Sequence, residues 1–305
     1  MRILVTGADG FLGRGLLAQL TTSFSQARRL VLTDRSFSGS GPVGSETIAG
    51  DLCDLDFVAD LLAPGFDLVF HLASVPGSLA ETEQDLGHSA NLLAPVALAR
   101  GLAAQCPGAR FIFASSIAVY GDLGNGVVTT ETRPAPLLTY GAHKLMMEIL
   151  LSDMTRRGAL SAMSLRFPGI VARPPSESGH GSAFMSQIFH RIAAGDAYDC
   201  PVPSTSTCWW MSRRAATTAL LHAAQMQGPF PMVVQPPVLH ASLEAVSEAI
   251  ARTVGKPARI GWGDDEKLQR IFGAMPPLDA GAAQALGFRA DATLEQLAAA
   301  ALSGE

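Results

Sequence analysis

The sequence predicts an α/β protein built on a doubly wound parallel sheet, with a smaller C-terminal subdomain that binds the substrate. Strand and helix signals alternate up to about residue 170, as they do where right-handed crossovers join parallel strands. A glycine-rich loop directly follows the first strand. After Arg173 the pattern changes, and a loop rich in proline, serine and glycine leads into the subdomain.

Short apolar runs predict six strands in the first domain, and they span residues 2–6, 29–33, 45–49, 67–71, 110–115 and 161–166. A long helix is expected over the 81–105 region, where Pro95 should kink it or mark a restart. Another helix runs from Tyr140 to Arg157 and a further strand from 231 to 235. Residues 236–305 are expected to be mostly helical.

The domain boundaries follow from the same signals. We expect a first domain of residues 1–170, completed by parts of 207–235. The substrate-binding subdomain would then hold residues 171–206 and 236–305. Its first segment is the loop Pro174–Gly181, and such loops carry function when a rigid scaffold holds them.

The composition indicates a globular enzyme that acts on a small molecule. The chain has 305 residues, of which 48% are hydrophobic and 16% charged, which suits a sizeable core around a buried sheet. The net charge is −5 and no basic block is present, so nucleic acid and anionic membranes are poor candidates as partners. No apolar run approaches the length of a membrane span.

Cysteine and histidine usage argues against disulfides and metal. The four cysteines show no C-x-x-C pattern, and free thiols in a reducing cytosol are the simplest interpretation. The seven histidines lack the spacing of metal ligands, so no metal is expected. Because the chain enters its first strand at once, it leaves no room for a signal peptide. We therefore expect a cytoplasmic protein.

The loop after the first strand predicts a dinucleotide site. It reads Gly7-Ala-Asp-Gly10-Phe-Leu-Gly13 and opens a helix, which is the context that makes a glycine motif meaningful. Gly7 would form the tight turn, Gly10 would let the backbone approach the pyrophosphate, and Gly13 would allow close helix–strand packing. The pyrophosphate would lie on the helix N-terminus beside Phe11 and Leu12. The arrangement is of the Rossmann type.

The end of the second strand favours NAD over NADP. Asp34 follows that strand, about 20 residues past the glycine loop, where a carboxylate can bond both hydroxyls of the adenosine ribose. The same carboxylate would repel a 2′-phosphate. Arg35 keeps NADP open, since an arginine there can hold the phosphate. A simple turn residue is the alternative interpretation of Asp34.

Two further strand ends complete the predicted cofactor site. Asp51 and Leu52 follow the third strand and could meet the adenine, with a solvated turn as the alternative. Leu72 and Ala73 follow the fourth strand, where the small Ala73 would let the cofactor pass. We therefore include all four residues in the cofactor site.

The candidate catalytic residues are Tyr140, Lys144 and Ser116. Tyr140-Gly-Ala-His-Lys144 places a phenol and an ammonium one turn apart on one helix face. A phenol is a poor base at neutral pH, and a nearby cation favours the phenolate. Such a phenol can take a proton from an alcohol while hydride leaves the same carbon. Taken without the other motifs, Tyr140 and Lys144 could instead belong to an ordinary exposed helix start. His71 is then interpreted as a packed or hydrogen-bonded histidine.

With these motifs in view, the chain resembles the extended short-chain dehydrogenase/reductase family, the NAD-dependent epimerases and dehydratases. The resemblance covers nearly the whole chain. It depends on Thr6-Gly-x-x-Gly-x-x-Gly13, Asp51-Leu52, His71-Leu-Ala73, Ser115-Ser116-x-x-Val-Tyr-Gly121, Tyr140-x-x-x-Lys144, Ala285-Leu-Gly-Phe288 and Thr293-Leu-Glu-Gln-Leu297.

The resemblance implies a role for each matching residue. Ser116 would bond the substrate alcohol or carbonyl, with Ser115 as the alternative. Tyr140 would be the general acid/base, and Lys144 would support it and bond the nicotinamide ribose.

Two further positions match residues that serve the same site. Asn91 lies where the family has an asparagine that orders the active site. Pro168 lies where the backbone approaches the nicotinamide. Both are therefore counted with the cofactor-binding residues.

Two departures from the family's patterns narrow the substrate. Members that dehydrate sugar nucleotides carry acidic residues beside the catalytic serine or threonine, whereas this chain has Ser116-Ile-Ala. Members that epimerise sugar nucleotides usually hold the diphosphate with an Arg-Asp-aromatic-x-His segment, of which 206–213 keeps only the aromatic part. A small polar substrate is therefore favoured.

More narrowly, the chain is similar to members that oxidise the 2-hydroxyl of a four-carbon sugar acid, D-erythronate, with NAD. This similarity depends on the segments 115–119, 150–158, 166–168 and 209–212. The negative net charge would hinder an anionic substrate, so a cation is expected in the pocket. The candidates are Arg166, Arg173 and Arg213.

Further substrate contacts are expected from residues at strand ends and in the subdomain, namely Ser74, Ser178, Thr207, Trp210 and Arg213. Trp209 and Trp210 could equally be core residues, and we expect one of the two to be so.

Several alternatives remain open at this stage. An epimerase that retains its NAD would use the same residues, and a uronate or aldose dehydrogenase is a variant of the favoured reaction. A catalytically silent dinucleotide sensor is a different class, which the intact Ser116, Tyr140 and Lys144 argue against. The resemblance also implies a homodimer that pairs two helices of each subunit.

Overall fold

The computed structural model describes residues 1–174 and 181–303 and divides the chain into two compact units. The first unit is 1–119, 138–166 and 217–234, and the second is 120–137, 167–216 and 235–305. The segment 120–137, expected in the first domain, thus lies in the second unit. It is tied there by the backbone of Val128, whose N–H donates to the carbonyl of Pro277 at 2.9 Å.

The described residues form twelve strands. They are β1 (Arg2–Thr6), β2 (Arg29–Asp34), β3 (Ser45–Ala49), β4 (Leu68–His71), β5 (Arg110–Ser116), β6 (Ser161–Phe167), β7 (Gly169–Val171), β8 (Tyr198–Cys200), β9 (Thr207–Ser212), β10 (Val233–Val234), β11 (Leu239–Ser242) and β12 (Ile260–Trp262). The six strands predicted for the first domain are all present, each within one residue of its expected bounds.

Twelve α-helices lie between these strands in the described residues. They are α1 (Phe11–Ser23), α2 (Leu55–Leu62), α3 (Gly77–Thr82), α4 (Gln84–His88), α5 (Ala94–Gln105), α6 (Thr139–Arg156), α7 (Ala183–Ala194), α8 (Arg213–Gln225), α9 (Leu243–Val254), α10 (Glu266–Phe272), α11 (Gly281–Ala285) and α12 (Leu294–Ser303). In this part of the chain, none of them combines the length and apolar character needed to cross a membrane.

The main sheet of the first unit has seven strands in the order β10-β6-β5-β4-β1-β2-β3. β1 pairs in parallel with both β2 and β4, so that Thr6 lies between Thr33 and His71. The strand order reverses between β1 and β4, which is the switch point where α/β sheets of this type bind ligands. The predicted doubly wound parallel sheet is confirmed.

Apolar side chains from the helices cover the sheet of the first unit. Val58 of α2, Leu102 of α5 and Leu151 of α6 lie in one buried cluster with Leu4 and Phe111 of the strands. One face of α6 is therefore buried through Met147, Leu151 and Met154, while Met146 and Ile149 stay exposed. Burial of each such side chain stabilises the fold by about 2 kcal/mol.

The helix expected over 81–105 is interrupted rather than continuous. Glu83 separates α3 from α4, and a π-helical turn, Ser89–Leu93, precedes α5. Pro95 directly follows the π-helical turn, and the residues that flank this turn, His88 and Ala94, both have helical backbone angles. The helix therefore does not restart at the proline, and the irregularity before it is the π-helical turn itself.

The second unit has its own core and two small sheets, ordered β11-β9-β7 and β12-β8. Helices α7, α9 and α12 pack together around buried apolar residues. The expectation that 236–305 is mostly helical is only partly correct, because β11 and β12 also lie there. These strands are short, and their partners β9 and β8 lie far away in sequence.

Candidate active site

The glycine loop packs its backbone closely against the exit of β4 and against its own first turn. Gly7 has a φ of +67°, and a Cβ there would lie 2.6 Å from the backbone nitrogen of Ala73. A Cβ on Gly13 would lie 2.2 Å from the carbonyl oxygen of Gly7. Gly10 caps α1, and Phe11 and Leu12 form its first turn. Since the first N–H groups of a helix lack intrahelical partners, this loop suits the pyrophosphate of NAD.

Asp34 lies at the carboxyl end of β2, where the ribose is expected. Its carboxylate accepts hydrogen bonds from the backbone N–H of Asp9 at 3.0 Å and of Arg35 at 2.8 Å. These bonds fix the orientation of the carboxylate, and they link the glycine loop directly to β2. The arrangement fits the adenosine end of NAD.

The next strand ends carry the other predicted cofactor residues of the first unit. Asp51 accepts a hydrogen bond from the N–H of Cys53 at 2.9 Å, and Leu52 packs at the edge of the core. Leu72 and Ala73 follow β4, and their N–H groups donate to the Thr6 carbonyl and hydroxyl. Asp51 therefore forms a turn, which was the alternative to an adenine contact in the sequence analysis.

Ser74 and Asn91 lie near the exit of β4 and differ in exposure. Ser74 is exposed, whereas Asn91 is only 2% exposed in the π-helical turn. The amide of Asn91 donates to the carbonyl of Val75 at 3.2 Å and accepts from its N–H at 2.9 Å. Asn91 therefore fixes the backbone that follows β4, which is an ordering role.

The two serines at the end of β5 have different environments. Ser115 is 3% exposed, and its hydroxyl donates to Glu148 at 2.5 Å. Ser116 is half-buried, and its Oγ accepts from the N–H of Ala118 at 3.1 Å. Successive side chains of a strand point to opposite faces. Ser115 thus serves the interior network, and Ser116 keeps its hydroxyl proton for a ligand.

Lys144 joins the helix of Tyr140 to the strand of Ser116. Its Nζ donates to the carbonyl of Ala114 at 2.8 Å and lies 5.4 Å from the centre of the Tyr140 ring. Burial lowers the pKa of Lys144, while the charges of Tyr140 and Glu148 act in the opposite direction. The ammonium is therefore held close to the phenol, as a tyrosine base requires.

Glu148 is a residue of this site that the sequence analysis missed. It is 2% exposed, and it accepts two hydrogen bonds from Arg166, at 2.7 Å from Nη2 and 3.0 Å from Nε. Together with Tyr140 and Lys144 it forms a series spaced by four residues on α6. That spacing, one turn beyond Lys144, was the available signal.

Arg166 and Arg173 were two of the three candidates for binding a substrate carboxylate. Arg166 forms an ion pair with Glu148, and the exposed fractions of the two side chains are 12% for Arg166 and 2% for Glu148. Arg173 is exposed, and its N–H donates to the hydroxyl of Ser186 at 3.0 Å. The ion pair gives Arg166 an interior role.

His71 is a packed histidine, as predicted. Its Nδ1 lies 2.8 Å from the hydroxyl of Thr6, and its ring stacks on Phe113 at 5.8 Å. Its Nε2 has no hydrogen-bond partner among the described residues. Burial, reinforced by the charge of Lys144, lowers the pKa of His71 to about 3, so the imidazole is neutral at physiological pH.

The remaining predicted residues belong to the second unit or fall outside the described residues. Pro168 is buried between β6 and β7. Thr207 begins β9, and its hydroxyl donates to the carbonyl of Met275 at 2.8 Å. Arg213 begins α8. Ser178 lies outside the described residues.

Both tryptophans of β9 lie in the core of the second unit. Trp209 and Trp210 are each 0% exposed. The indole N–H of Trp209 donates to Pro276 at 2.7 Å, and that of Trp210 donates to Ala241 at 3.0 Å. This placement favours the core interpretation for Trp210 over a substrate contact.

Metal and disulfide chemistry are not indicated within the described part of the chain. No group of three or more histidine, cysteine or acidic side chains there could hold a metal ion. The four cysteines form no disulfide in the same residues.

Comparisons with known proteins identify the family to which the chain is similar. Residues 3–233 match the model of the NAD dependent epimerase/dehydratase family. D-erythronate dehydrogenase from Cupriavidus necator is 33% identical over 97% of this chain and 96% of its own. D-erythronate dehydrogenase from Haemophilus influenzae is 27% identical over 97% of both chains. The solved structure of a nucleoside-diphosphate-sugar epimerase from Agrobacterium tumefaciens is 29% identical, with a TM-score of 0.89 over 100% of this chain and 95% of that one.

Proposed function

The chain belongs to the NAD dependent epimerase/dehydratase family, and from this membership we propose that it oxidises the 2-hydroxyl of D-erythronate. NAD is its cofactor, and it is an oxidoreductase that acts on CH–OH groups. Two relatives that match it over nearly its full length are D-erythronate dehydrogenases, which supports this substrate. The expected product is the corresponding 2-keto acid.

The observation that carries the proposal is the position of Lys144. Its ammonium is buried between the Tyr140 ring and the Ala114 carbonyl, two residues before Ser116. This contact fixes the start of α6 against the end of β5. A base on the helix and a hydroxyl on the strand can therefore hold one substrate oxygen between them.

Ser116, Tyr140 and Lys144 each have a separate role in the proposed reaction. Ser116 donates its hydroxyl proton to the substrate oxygen and orients it. Tyr140 takes the proton of the substrate hydroxyl as general base. Lys144 stabilises the phenolate that Tyr140 needs for this step. Bound NAD supplies the acceptor for the hydride that leaves the same carbon.

An epimerase that retains its NAD is the second candidate. It is supported by the similarity to the nucleoside-diphosphate-sugar epimerase from Agrobacterium tumefaciens. Against it, the segment 206–213 keeps only the aromatic part of the Arg-Asp-aromatic-x-His pattern with which such enzymes usually hold a diphosphate. NAD that remains bound through purification would favour this candidate.

A homodimer is also part of the proposal. Three large apolar side chains remain exposed on the π-helical turn and on α6, which pack against each other in the first unit. They are Leu93 at 51%, Met146 at 43% and Ile149 at 64% exposed. A second copy of this chain, presenting the same face, would cover them. A cytoplasmic location is proposed as well, since it fits four cysteines that form no disulfide in the described residues.

The test of the proposed function is nucleotide reduction by the purified protein. NAD and NADP are offered in parallel with D-erythronate, four- to six-carbon sugar acids and free sugars. The proposal expects rapid reduction of NAD with D-erythronate. Tyr140→Phe should lower turnover by about 10²–10⁴-fold and leave NAD binding nearly unchanged. Reduction with none of these compounds would overturn the proposal.

A further inference from the structure

A cluster of three side chains lies next to the expected ribose position and takes no part in the reaction above. Arg14, on the first turns of α1, forms an ion pair with Asp9 of the glycine loop, with 3.0 Å between Nη2 and Oδ2. The Nε of Arg14 donates to Asp9 as well, at 2.8 Å to its carbonyl and 3.2 Å to Oδ1. Ser38 accepts from Nη2 at 2.5 Å, and its N–H donates to Asp9 at 3.0 Å.

This cluster is attached to the acidic residue of the ribose site. The N–H of Asp9 donates to Oδ2 of Asp34 at 3.0 Å. Ser38 lies four residues beyond Asp34 in the loop that leaves β2. The carboxylates of Asp9 and Asp34 therefore lie at one strand end, with Arg14 as the cation that Asp9 binds directly.

The charges of this cluster determine whether the 2′-phosphate of NADP would find a cation at the ribose position. A 2′-phosphate on the ribose needs a cation with donors to spare, and an arginine is the usual one. Arg14 directs Nε and Nη2 to Asp9 and Ser38. Burial tends to raise the pKa of Asp9, but hydrogen bonds from Arg14 and Ser38 outweigh it and lower the pKa. Asp9 therefore stays ionised at physiological pH and keeps hold of Arg14.

We propose that Asp9 is a second determinant of the preference for NAD over NADP, acting with Asp34. Its carboxylate adds a negative charge at the ribose end and keeps Arg14 turned away from a 2′-phosphate. The proposal rests on the NAD-binding part of the proposed function and is independent of the identity of the substrate.

Arg35, which the sequence left open as a phosphate ligand, provides a control. Its side chain is exposed, and its charge acts on Cys53, where it opposes the effect of burial on the pKa of the thiol. Its N–H, rather than its guanidinium, reaches Asp34. Arg35→Gln measures separately what this exposed guanidinium contributes to NADP binding, whereas the gain in Asp9→Asn should depend on Arg14.

The experiment is calorimetric titration of the purified chain with NAD and with NADP, in the absence of any sugar acid. It compares the wild type, Asp9→Asn, Asp9→Asn/Arg14→Gln and Arg35→Gln, after thermal melts have shown that each is folded. Asp9→Asn should tighten NADP binding by about tenfold, the effect of one charge-assisted contact. NAD binding should change by less than about threefold, and the double variant should lose the NADP gain.

Three results would overturn the proposal. The first is a ratio of NAD and NADP dissociation constants that is the same in Asp9→Asn as in the wild type. The second is a gain in NADP affinity that is as large in Asp9→Asn/Arg14→Gln as in Asp9→Asn. The third, wild-type protein that binds neither nucleotide, would overturn the proposed function as well. NAD binding without turnover on any sugar acid would instead overturn only the substrate assignment, since the binding ratio is measured separately.

Discussion

The hydroxyl of Ser115 donates to the carboxylate of Glu148 at 2.5 Å, and both side chains are almost fully buried. This contact assigns different tasks to two adjacent serines. Ser115 satisfies a buried carboxylate, whereas Ser116 lies at the exit of β5 with a hydroxyl proton still available. The sequence alone left the choice between them open.

The two serines should respond differently to substitution. Ser116→Ala is expected to lower turnover by about 10²–10³-fold, because the substrate oxygen loses a donor, with little change in stability. Ser115→Ala should instead lower the free energy of unfolding by about 1–3 kcal/mol, since it leaves a buried carboxylate short of a donor. Steady-state kinetics and urea unfolding of both variants check this. A larger loss of turnover in Ser115→Ala than in Ser116→Ala would reverse the assignment.

Glu148→Gln should be among the most destabilising substitutions near the site. It removes the carboxylate that pairs with Arg166 in a position where both side chains are largely buried. Breaking a buried pair from one side costs about 3–5 kcal/mol. Glu248→Gln is the matched control, because its pair with Arg252 is exposed and exposed pairs contribute little. Equal unfolding free energies for the two variants would contradict the interior role of Glu148.

His71 should make the fold sensitive to acid. The pKa of His71 is lowered to about 3 in the folded state, so the unfolded chain alone takes up this proton as the pH falls below about 6.5. The free energy of unfolding should then fall by up to about 1.4 kcal/mol for each pH unit down to about pH 3. In His71→Phe, whose ring can still stack on Phe113, this decline should be shallower by the contribution of one proton, which is up to about 1.4 kcal/mol for each pH unit. Unfolding curves that fall in parallel for both proteins would show that His71 is not responsible.

Ile149→Asp should convert the proposed dimer to a monomer. The side chain is 64% exposed on α6, and a charge there would be buried without a partner in the dimer. Leu55→Asp is the control, because Leu55 is equally exposed, at 64%, but lies on α2. Sedimentation should give half the wild-type mass for Ile149→Asp alone. A wild-type chain that sediments as a monomer would end the dimer proposal.

The sheet and the glycine loop were predictable because their signals are local. Short apolar runs gave the strands of the first unit, and the strand–glycine–helix context identified the dinucleotide loop. Tyr140 and Lys144 are neighbours on one helix, so their juxtaposition follows from helical geometry alone.

Features that depend on distant contacts were harder to predict. Glu148, on α6, becomes part of the site only because Ser115 of β5 and Arg166 of β6 donate hydrogen bonds to it. The segment 120–137 belongs to the second unit because Val128 pairs with Leu278, far along the chain. The burial of Trp210 likewise follows from packing that residue spacing does not reveal.

The transfer of a deuterium atom tests the central claim most directly. Purified protein is incubated with NAD and D-erythronate that carries deuterium on carbon 2, and nucleotide and acid are separated and analysed by mass spectrometry. The proposed oxidation predicts deuterium in the released reduced nucleotide, together with an equal amount of the 2-keto acid, and about 10²–10⁴-fold less of both from Tyr140→Phe in the same time. No released reduced nucleotide, with the deuterium recovered on carbon 2 of an epimerised acid, would contradict the dehydrogenase assignment and favour the epimerase.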